Sequence, residues 1–182
     1  CAVVVVDDGS LENIKDQVSK HKNVFYIRHK VNLGQGAALQ TGIDFAMKEG
    51  AAYLVSFDAD GQHSVADIPA ILSPVVNGEA DIVLASRFLV KGHHNASFLK
   101  KIVLKTGRWV NYLFTGLYLS DAHNGLGAMN RLAAITIRIS ENRMAHATEI
   151  IAQIKKHKLR YKEVAANVVY TDYSRHKGQP VL

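Results

Sequence analysis

The run Ala2-Val3-Val4-Val5-Val6 constrains the fold more than any other stretch, because it is apolar at every position and stops at once on Asp7-Asp8-Gly9-Ser10. A strand with one wet face alternates apolar and polar residues. A strand that is apolar throughout must be covered on both faces, as happens in a parallel sheet flanked by helices. Similar runs at 52–57 and 81–85 end on Asp58 and before Arg87. Segments of helical period lie between them. Residues 11–20 read as a helix capped by Ser10, and 24–27 as the next strand. Ala38, Leu39, Gly42, Ile43, Ala46 and Met47 then share one helical face that closes at Gly50. Residues 65–76 form a further helical pattern with Pro69 near its first turn. Strands alternating with helices define an α/β fold with a mostly parallel central sheet flanked by helices. Past Arg87 the reading continues with a long amphipathic segment at 97–119, a strand at 125–129, a helix at 145–157 and a strand at 161–170.

A chain of 182 residues, 48% hydrophobic and 21% charged, fits one domain that buries its own core without metal or disulfide staples. Cys1 is the single cysteine, so no disulfide forms within the chain, which suits a reducing cytoplasm. No run of about 18 uncharged apolar residues is present, and the first apolar run is too short and too soon acidic for a signal peptide. The formal net charge is +6, gathered in 91–108 and 155–177. Such an excess suits phosphorylated small molecules or an anionic membrane face. A nucleic-acid binder would use the same basic regions and betray itself by steep salt dependence, but no nucleic-acid partner is expected.

Chemistry concentrates in Phe57-Asp58-Ala59-Asp60-Gly61-Gln62-His63-Ser64. In extended chain Asp58 and Asp60 project to the same side, with Gln62 one further step along. Hard oxygen donors so arranged suit Mg²⁺ or Mn²⁺, which keep several waters and take phosphate oxygens as remaining ligands. Open α/β sheets bind ligands beyond the carboxyl ends of their strands, where Asp7, Asp8, Asp58, Asp60 and Arg87 fall. A polar turn closing a strand would also use Asp and Gly. A competing reading takes Gly34-x-Gly36 with Asp58 as a dinucleotide site, but Leu39 occupies the third glycine position and the turn is not the first of the fold.

Taken in order, Val5-Val6-Asp7-Asp8-Gly9-Ser10, Asn32-x-Gly34-x-Gly36-x-Ala38, Asp58-Ala59-Asp60-Gly61-Gln62-His63 and Ala85-Ser86-Arg87-Phe88 resemble the family 2 inverting glycosyltransferases. These have the nucleotide-diphospho-sugar transferase (A-type) fold, and the nearest likeness is to polyprenyl-phosphate, dolichol-phosphate-mannose-synthase-like sugar transferases. The resemblance implies that Asp7 and Asp8 serve the nucleoside end of the donor and that Asp58 flanks its diphosphate. It further implies that Asp58, Asp60 and Gln62 hold Mg²⁺ or Mn²⁺, and that Arg87 binds phosphate. Asp121 falls where the family has an acidic residue near donor or acceptor. Asp60, Arg87 and Asp121 are thus the expected catalytic set. Glu149 matches a family glutamate, and Arg175 and Lys177 resemble a basic tail motif that closes over phosphates. The family's first strand, with its Pro-aromatic-Asn-Glu turn, has no counterpart here. Lack of a central strand should leave apolar surface and unpaired backbone.

The implied reaction is transfer of one sugar from a nucleotide-diphosphate donor to a polyprenyl phosphate. The alternative is transfer to a saccharide hydroxyl, including that of a lipid-linked saccharide, in surface-polysaccharide assembly. A hydroxyl acceptor needs a base, for which Asp121 is the first candidate, whereas a lipid phosphate is already ionised. A nicotinamide-dependent oxidoreductase is the alternative from another class. In 97–119, Lys101, Lys105 and Arg108 share a stripe beside Leu99, Ile102, Val103, Trp109 and Tyr112. That mixture suits either a membrane interface or packing on the domain with a solvated basic edge. The expected location is cytoplasmic, peripheral at the inner face of the membrane.

Overall fold

The computed structural model describes residues 1–90, 109, 112, 116–117, 119–121, 124–143 and 145–169. In chain order these form β1 (Val3–Asp7), α1 (Lys15–Val18), β2 (Val24–Arg28), α2 (Gln35–Lys48), β3 (Tyr53–Ser56), α3 (Ile68–Val76) and β4 (Ile82–Ser86). They continue with β5 (Gly127–Asn130), α4 (Arg131–Thr136), α5 (His146–Lys156) and β6 (Tyr161–Ala165). One-turn 3₁₀ segments, Val65–Asp67 and Arg87–Leu89, lead into α3 and out of β4, capped by the side chains of Ser64 and Ser86.

β1 and β2 form a parallel pair, with Val5 opposite Tyr26. The other strands form a four-stranded sheet in the order β3-β5-β4-β6. β6 runs parallel to β4, whereas β5 is antiparallel to both its neighbours. The expected α/β architecture is present, but the larger sheet is mixed. An apolar run has the same side-chain period in either direction, so strand direction is not written in it.

Residues of β4 alternate between two cores. Ile82 packs with Ile43, Met129, Ala133, Ile137 and Ile154 beneath α2, α4 and α5. Val83 and Ala85 pack with Ile71, Val75, Leu126 and Ala128 beneath α3. The sheet is therefore the middle layer of three, and this two-sided burial explains why β4 is apolar throughout. Truncating the fully buried Ile71 to Ala should cost about 2–5 kcal/mol. At Gly127 an added Cβ would sit 2.9 Å from the Val83 carbonyl oxygen, so the glycine lets β5 lie close against β4.

Some expectations change. The helix expected over 11–20 shrinks to the single turn of α1, which buries no residue, while Leu11 is fully exposed. An isolated turn without a packed face has little to hold it. Ser10 does not cap a helix there; its N–H donates to Asp7 Oδ1 at 2.8 Å. The strand expected over 161–170 ends at Ala165, with an isolated bridge between Val168 and His63. β1 is not covered on both faces: Val3 is 51% exposed and Val4, Val5 and Val6 are half-buried. The sheet is divided between β1 and β3, and Tyr53 at the start of β3 is also exposed. Among the described residues no helix is long and apolar enough to cross a membrane. Most of the amphipathic segment 97–119 lies outside the described residues.

Candidate active site at the carboxyl ends of the strands

The end of β1 places two aspartates side by side with different partners. Asp7 is buried and accepts from Tyr26 Oη at 2.5 Å and from the Ser10 N–H, with Arg28 Nε at 3.4 Å. The Tyr26 hydrogen bond above all, then that of Ser10, lowers its pKa to about 2. Asp8 accepts from the backbone N–H groups of Leu33 at 2.9 Å and Gly34 at 2.6 Å, and its Oδ1 lies 2.7 Å from His29 Nδ1. Burial raises its pKa, but these hydrogen bonds outweigh burial and hold it below the usual carboxylate range. Asp8 thus fastens the turn entering α2 to the tip of β1.

That turn delivers Gln35, whose Nε2 donates to Asp58 Oδ1 at 2.9 Å. Asp58 and Asp60 follow β3, and Asp60 Oδ1 accepts from the Gln62 N–H at 3.0 Å. The Gln62 carbonyl in turn accepts from Val169 N–H at 2.8 Å. Asp58 has its pKa raised, first by burial and then, despite Gln35, by the charge of Asp60. Two carboxylates this close, with one poorly solvated, form a site that a cation would relieve. His63 lies alongside, edge-on to Phe57, and its Nδ1 is buried without a hydrogen-bond partner among the described residues. The donor set fits Mg²⁺ or Mn²⁺ of the kind that takes few protein ligands: Asp58, Asp60 and Gln62 would hold it, and phosphate oxygens and water would complete it. Among the described residues no group of three or more His, Cys, Asp or Glu is arranged around a metal position.

Arg87 opens the 3₁₀ turn after β4 and is clamped by Asp121. Its backbone N–H and Nε donate to Asp121 Oδ2 at 3.2 and 2.8 Å, and Nη2 donates to Oδ1 at 3.2 Å. The guanidinium also lies over the Phe88 ring, 5.5 Å from its centre. Burial raises the pKa of Asp121, but Arg87 outweighs it and the carboxyl stays below its usual range. Asn124 Nδ2 donates to Asp121 Oδ2 at 3.3 Å. The next residue, Gly125, sits so close to Asp58 that an added Cβ would collide with its carboxylate. An unbroken series of contacts therefore runs from Asp8 through Gly34, Gln35, Asp58, Gly125 and Asn124 to Asp121 and Arg87. It joins the tips of β1, β3 and β4 into one acidic and basic rim.

The dinucleotide reading does not survive this geometry. The N–H groups of Gly36 and Ala37, where a pyrophosphate would rest, donate to the Asn142 carbonyl at 2.8 and 3.4 Å. Side chains at Gly34 or Gly36 would strike the backbone at 141–142, so these glycines permit close packing of a loop. Glu149 holds that loop by accepting from Ser140 N–H, Ser140 Oγ at 2.5 Å and Glu141 N–H at 2.9 Å. Gln35 and Gly125 escaped the sequence reading; the only signal was their place between paired glycines and after an asparagine. Arg175 and Lys177 lie outside the described residues.

Known proteins agree with the class this rim defines, an A-type nucleotide-sugar transferase fold. The model of glycosyl transferase family 2 matches residues 1–143. An uncharacterized protein of Methanocaldococcus jannaschii is 34% identical over 99% of this chain and 75% of its own length. The UDP-N-acetylglucosamine–dolichyl-phosphate N-acetylglucosaminyltransferase of Methanococcus voltae is 31% identical over 99% of this chain and 79% of its own. Glucosyl-3-phosphoglycerate synthase from Mycobacterium tuberculosis, in complex with phosphoglyceric acid, superposes with a TM-score of 0.66 at 13% identity. That match covers 95% of this chain and 62% of the other, so the chain spans less than two thirds of that structure. The same synthase with Mn²⁺, UDP-glucose and phosphoglyceric acid gives 0.65. This chain belongs to glycosyl transferase family 2.

Proposed function

We propose that the protein transfers a single sugar, with inversion, from a nucleotide-diphosphate donor to a polyprenyl phosphate. The observation that carries this reading is the rim in which Asp58 is linked through Gly125 and Asn124 to Asp121 and Arg87. Departure of the nucleoside diphosphate builds negative charge on phosphate oxygens, and stabilising it is the main catalytic task. Mg²⁺ or Mn²⁺, when bound, supplies charge neutralisation at the diphosphate. Arg87 is pre-oriented by Asp121 and presents a fixed positive charge beside that place. Asp7 and Asp8 shape the nucleoside end of the cleft from beneath, by holding Ser10 and the Leu33–Gly34 turn. Arg175 and Lys177 follow Val169, which is anchored on Gln62, and act as further phosphate contacts.

Asp121 bears on the acceptor. With both oxygens engaged by Arg87 and its pKa lowered, it is a weak base. That supports an acceptor that is already ionised over a saccharide hydroxyl, which would need a proton removed. The relative from Methanococcus voltae, named for transfer to dolichyl phosphate, supports the same choice. A lipid acceptor places the protein at the membrane surface, peripheral on the cytoplasmic side, with 97–119 as the contacting segment.

The test is incubation with a panel of labelled sugar nucleotides and a polyprenyl phosphate in detergent, with Mn²⁺ or with chelator. Label entering the organic phase only with the metal is expected. Label appearing solely in a water-soluble saccharide would overturn the acceptor, and no transfer from any donor would overturn the activity.

A further inference from the structure

Arg87 and Asp121 belong to different elements, and neither is held by the other alone. Both are fastened to one part-buried network that ends on Glu163 of β6. Glu163 Oε1 accepts from Ser120 N–H at 2.8 Å, from Ser120 Oγ at 2.7 Å and from Asp121 N–H at 3.2 Å, and Oε2 accepts from Ser120 N–H at 3.0 Å. Ser120 Oγ lies 2.6 Å from Ser86 Oγ, and Ser86 Oγ accepts from Phe88 N–H at 3.2 Å, capping the turn that carries Arg87. Ser86 is fully buried and Asp121 is 5% exposed.

A carboxylate only accepts, so it sets the sense of every hydrogen bond in the series. Ser120 must give its hydroxyl proton to Glu163, Ser86 must give its own to Ser120, and the lone pairs of Ser86 are then free for Phe88. We propose that Glu163 is a positioning residue for sugar transfer: it fixes the Asp121 backbone directly and the Arg87 turn through Ser120 and Ser86. It thereby aligns the guanidinium with its clamp from the neighbouring strand. The register of β6 against β4, with Glu163 opposite Leu84, makes this reach possible. The inference rests on the reading that Arg87 binds the donor diphosphate.

The test measures binding of inorganic pyrophosphate with Mn²⁺ by calorimetry, alongside thermal melting and the Nε resonance of Arg87 in the nuclear magnetic resonance spectrum. Glu163→Ala should weaken pyrophosphate binding by roughly 10-fold, within the 10–100-fold range typical of groups that orient a site through another residue. Glu163→Gln, which keeps one acceptor oxygen, should fall between it and the unaltered protein. Arg87→Ala should weaken binding at least as much, and adding Glu163→Ala to it should change affinity by less than about twofold, because the two act through one contact. A merely structural role would give additive losses, and additivity or unchanged binding in Glu163→Ala overturns the proposal. If Arg87→Ala itself leaves binding unchanged, the diphosphate role of Arg87 fails, and the Arg87 Nε resonance then decides on Glu163. A shifted resonance in Glu163→Ala upholds the positioning role and an unmoved one rejects it. Should Glu163→Ala not fold, Glu163→Gln and Ser120→Ala carry the same measurements, with smaller losses expected and unchanged binding and resonance again overturning the idea.

Discussion

The two ends of the sheet treat aspartate in opposite ways. At the entry to β4, Asp81 accepts from Arg160 N–H at 2.9 Å, Nε at 3.1 Å and Nη2 at 2.8 Å, and from Asn130 Nδ2 at 3.0 Å. Arg160 above all lowers its pKa to about 2. At the exit of β3, Asp58 accepts from Gln35 and has its pKa raised, first by burial and then by the charge of Asp60. Folding is served where a buried charge meets its full set of donors. Where burial raises the pKa of a carboxylate, as at Asp58, stability is given up for something that binds later.

Five changes test that contrast, beginning with the largest effect. Asp60→Asn should lower sugar transfer by on the order of 10²–10³-fold while the melting temperature stays put, since the carboxylate serves the diphosphate and not the core. Retained turnover would remove Asp60 from its role. Asp81→Ala should do the reverse and cost about 2–3 kcal/mol, because it strands Asn130 and the Arg160 backbone, with turnover per folded molecule unchanged; urea unfolding beside an activity assay reads both. Because the folded pKa of Asp81 lies below the ordinary 3.8, its contribution is present above about pH 4 and disappears as pH falls toward 2. Asp81→Asn should therefore flatten the fall in stability across that window, and an unchanged acid profile would count against the assignment. Gly125→Ala should displace Asp58 and weaken Mn²⁺-dependent pyrophosphate binding by roughly 10-fold, with a smaller change in melting. The smallest effect is the most diagnostic. Burial and Asp60 disfavour the charge on Asp58, so Asp58→Asn should raise the stability of the metal-free protein, by less than about 1 kcal/mol, while reducing transfer. A lowered melting temperature would show that Asp58 belongs with Asp81 after all.

The comparison also explains what could be read early. Ile82–Ser86 announces itself because a doubly buried strand must be apolar at each position. Val3–Asp7 and Tyr53–Ser56 do so because short apolar runs of strand-forming residues bounded by polar ones favour extended chain even where a face stays exposed, and α2 because its small residues recur at helical spacing. Asp58, Asp60 and Arg87 were legible as groups at strand ends, since polarity following an apolar run has few structural uses. Glu163, Gly125 and Asn142 were not legible. Glu163 sits in a strand as an ordinary charged residue, and only the pairing of β6 with β4 brings it to Ser120. Asn142 acts through its carbonyl, which every residue has. Asp121 was found, but its commitment to Arg87 was hidden, because the two are far apart in sequence.

Local periodicity and residue type, then, determined the α/β class, the family and the acidic motif, since each depends on the order of side chains along one segment. The tertiary structure decided the direction of β5, the closure of α2's N-terminus by a loop carbonyl, and which aspartates are satisfied. Those outcomes depend on distances between segments remote in the chain, and a hydrogen bond or a shifted pKa exists only once folding has set them.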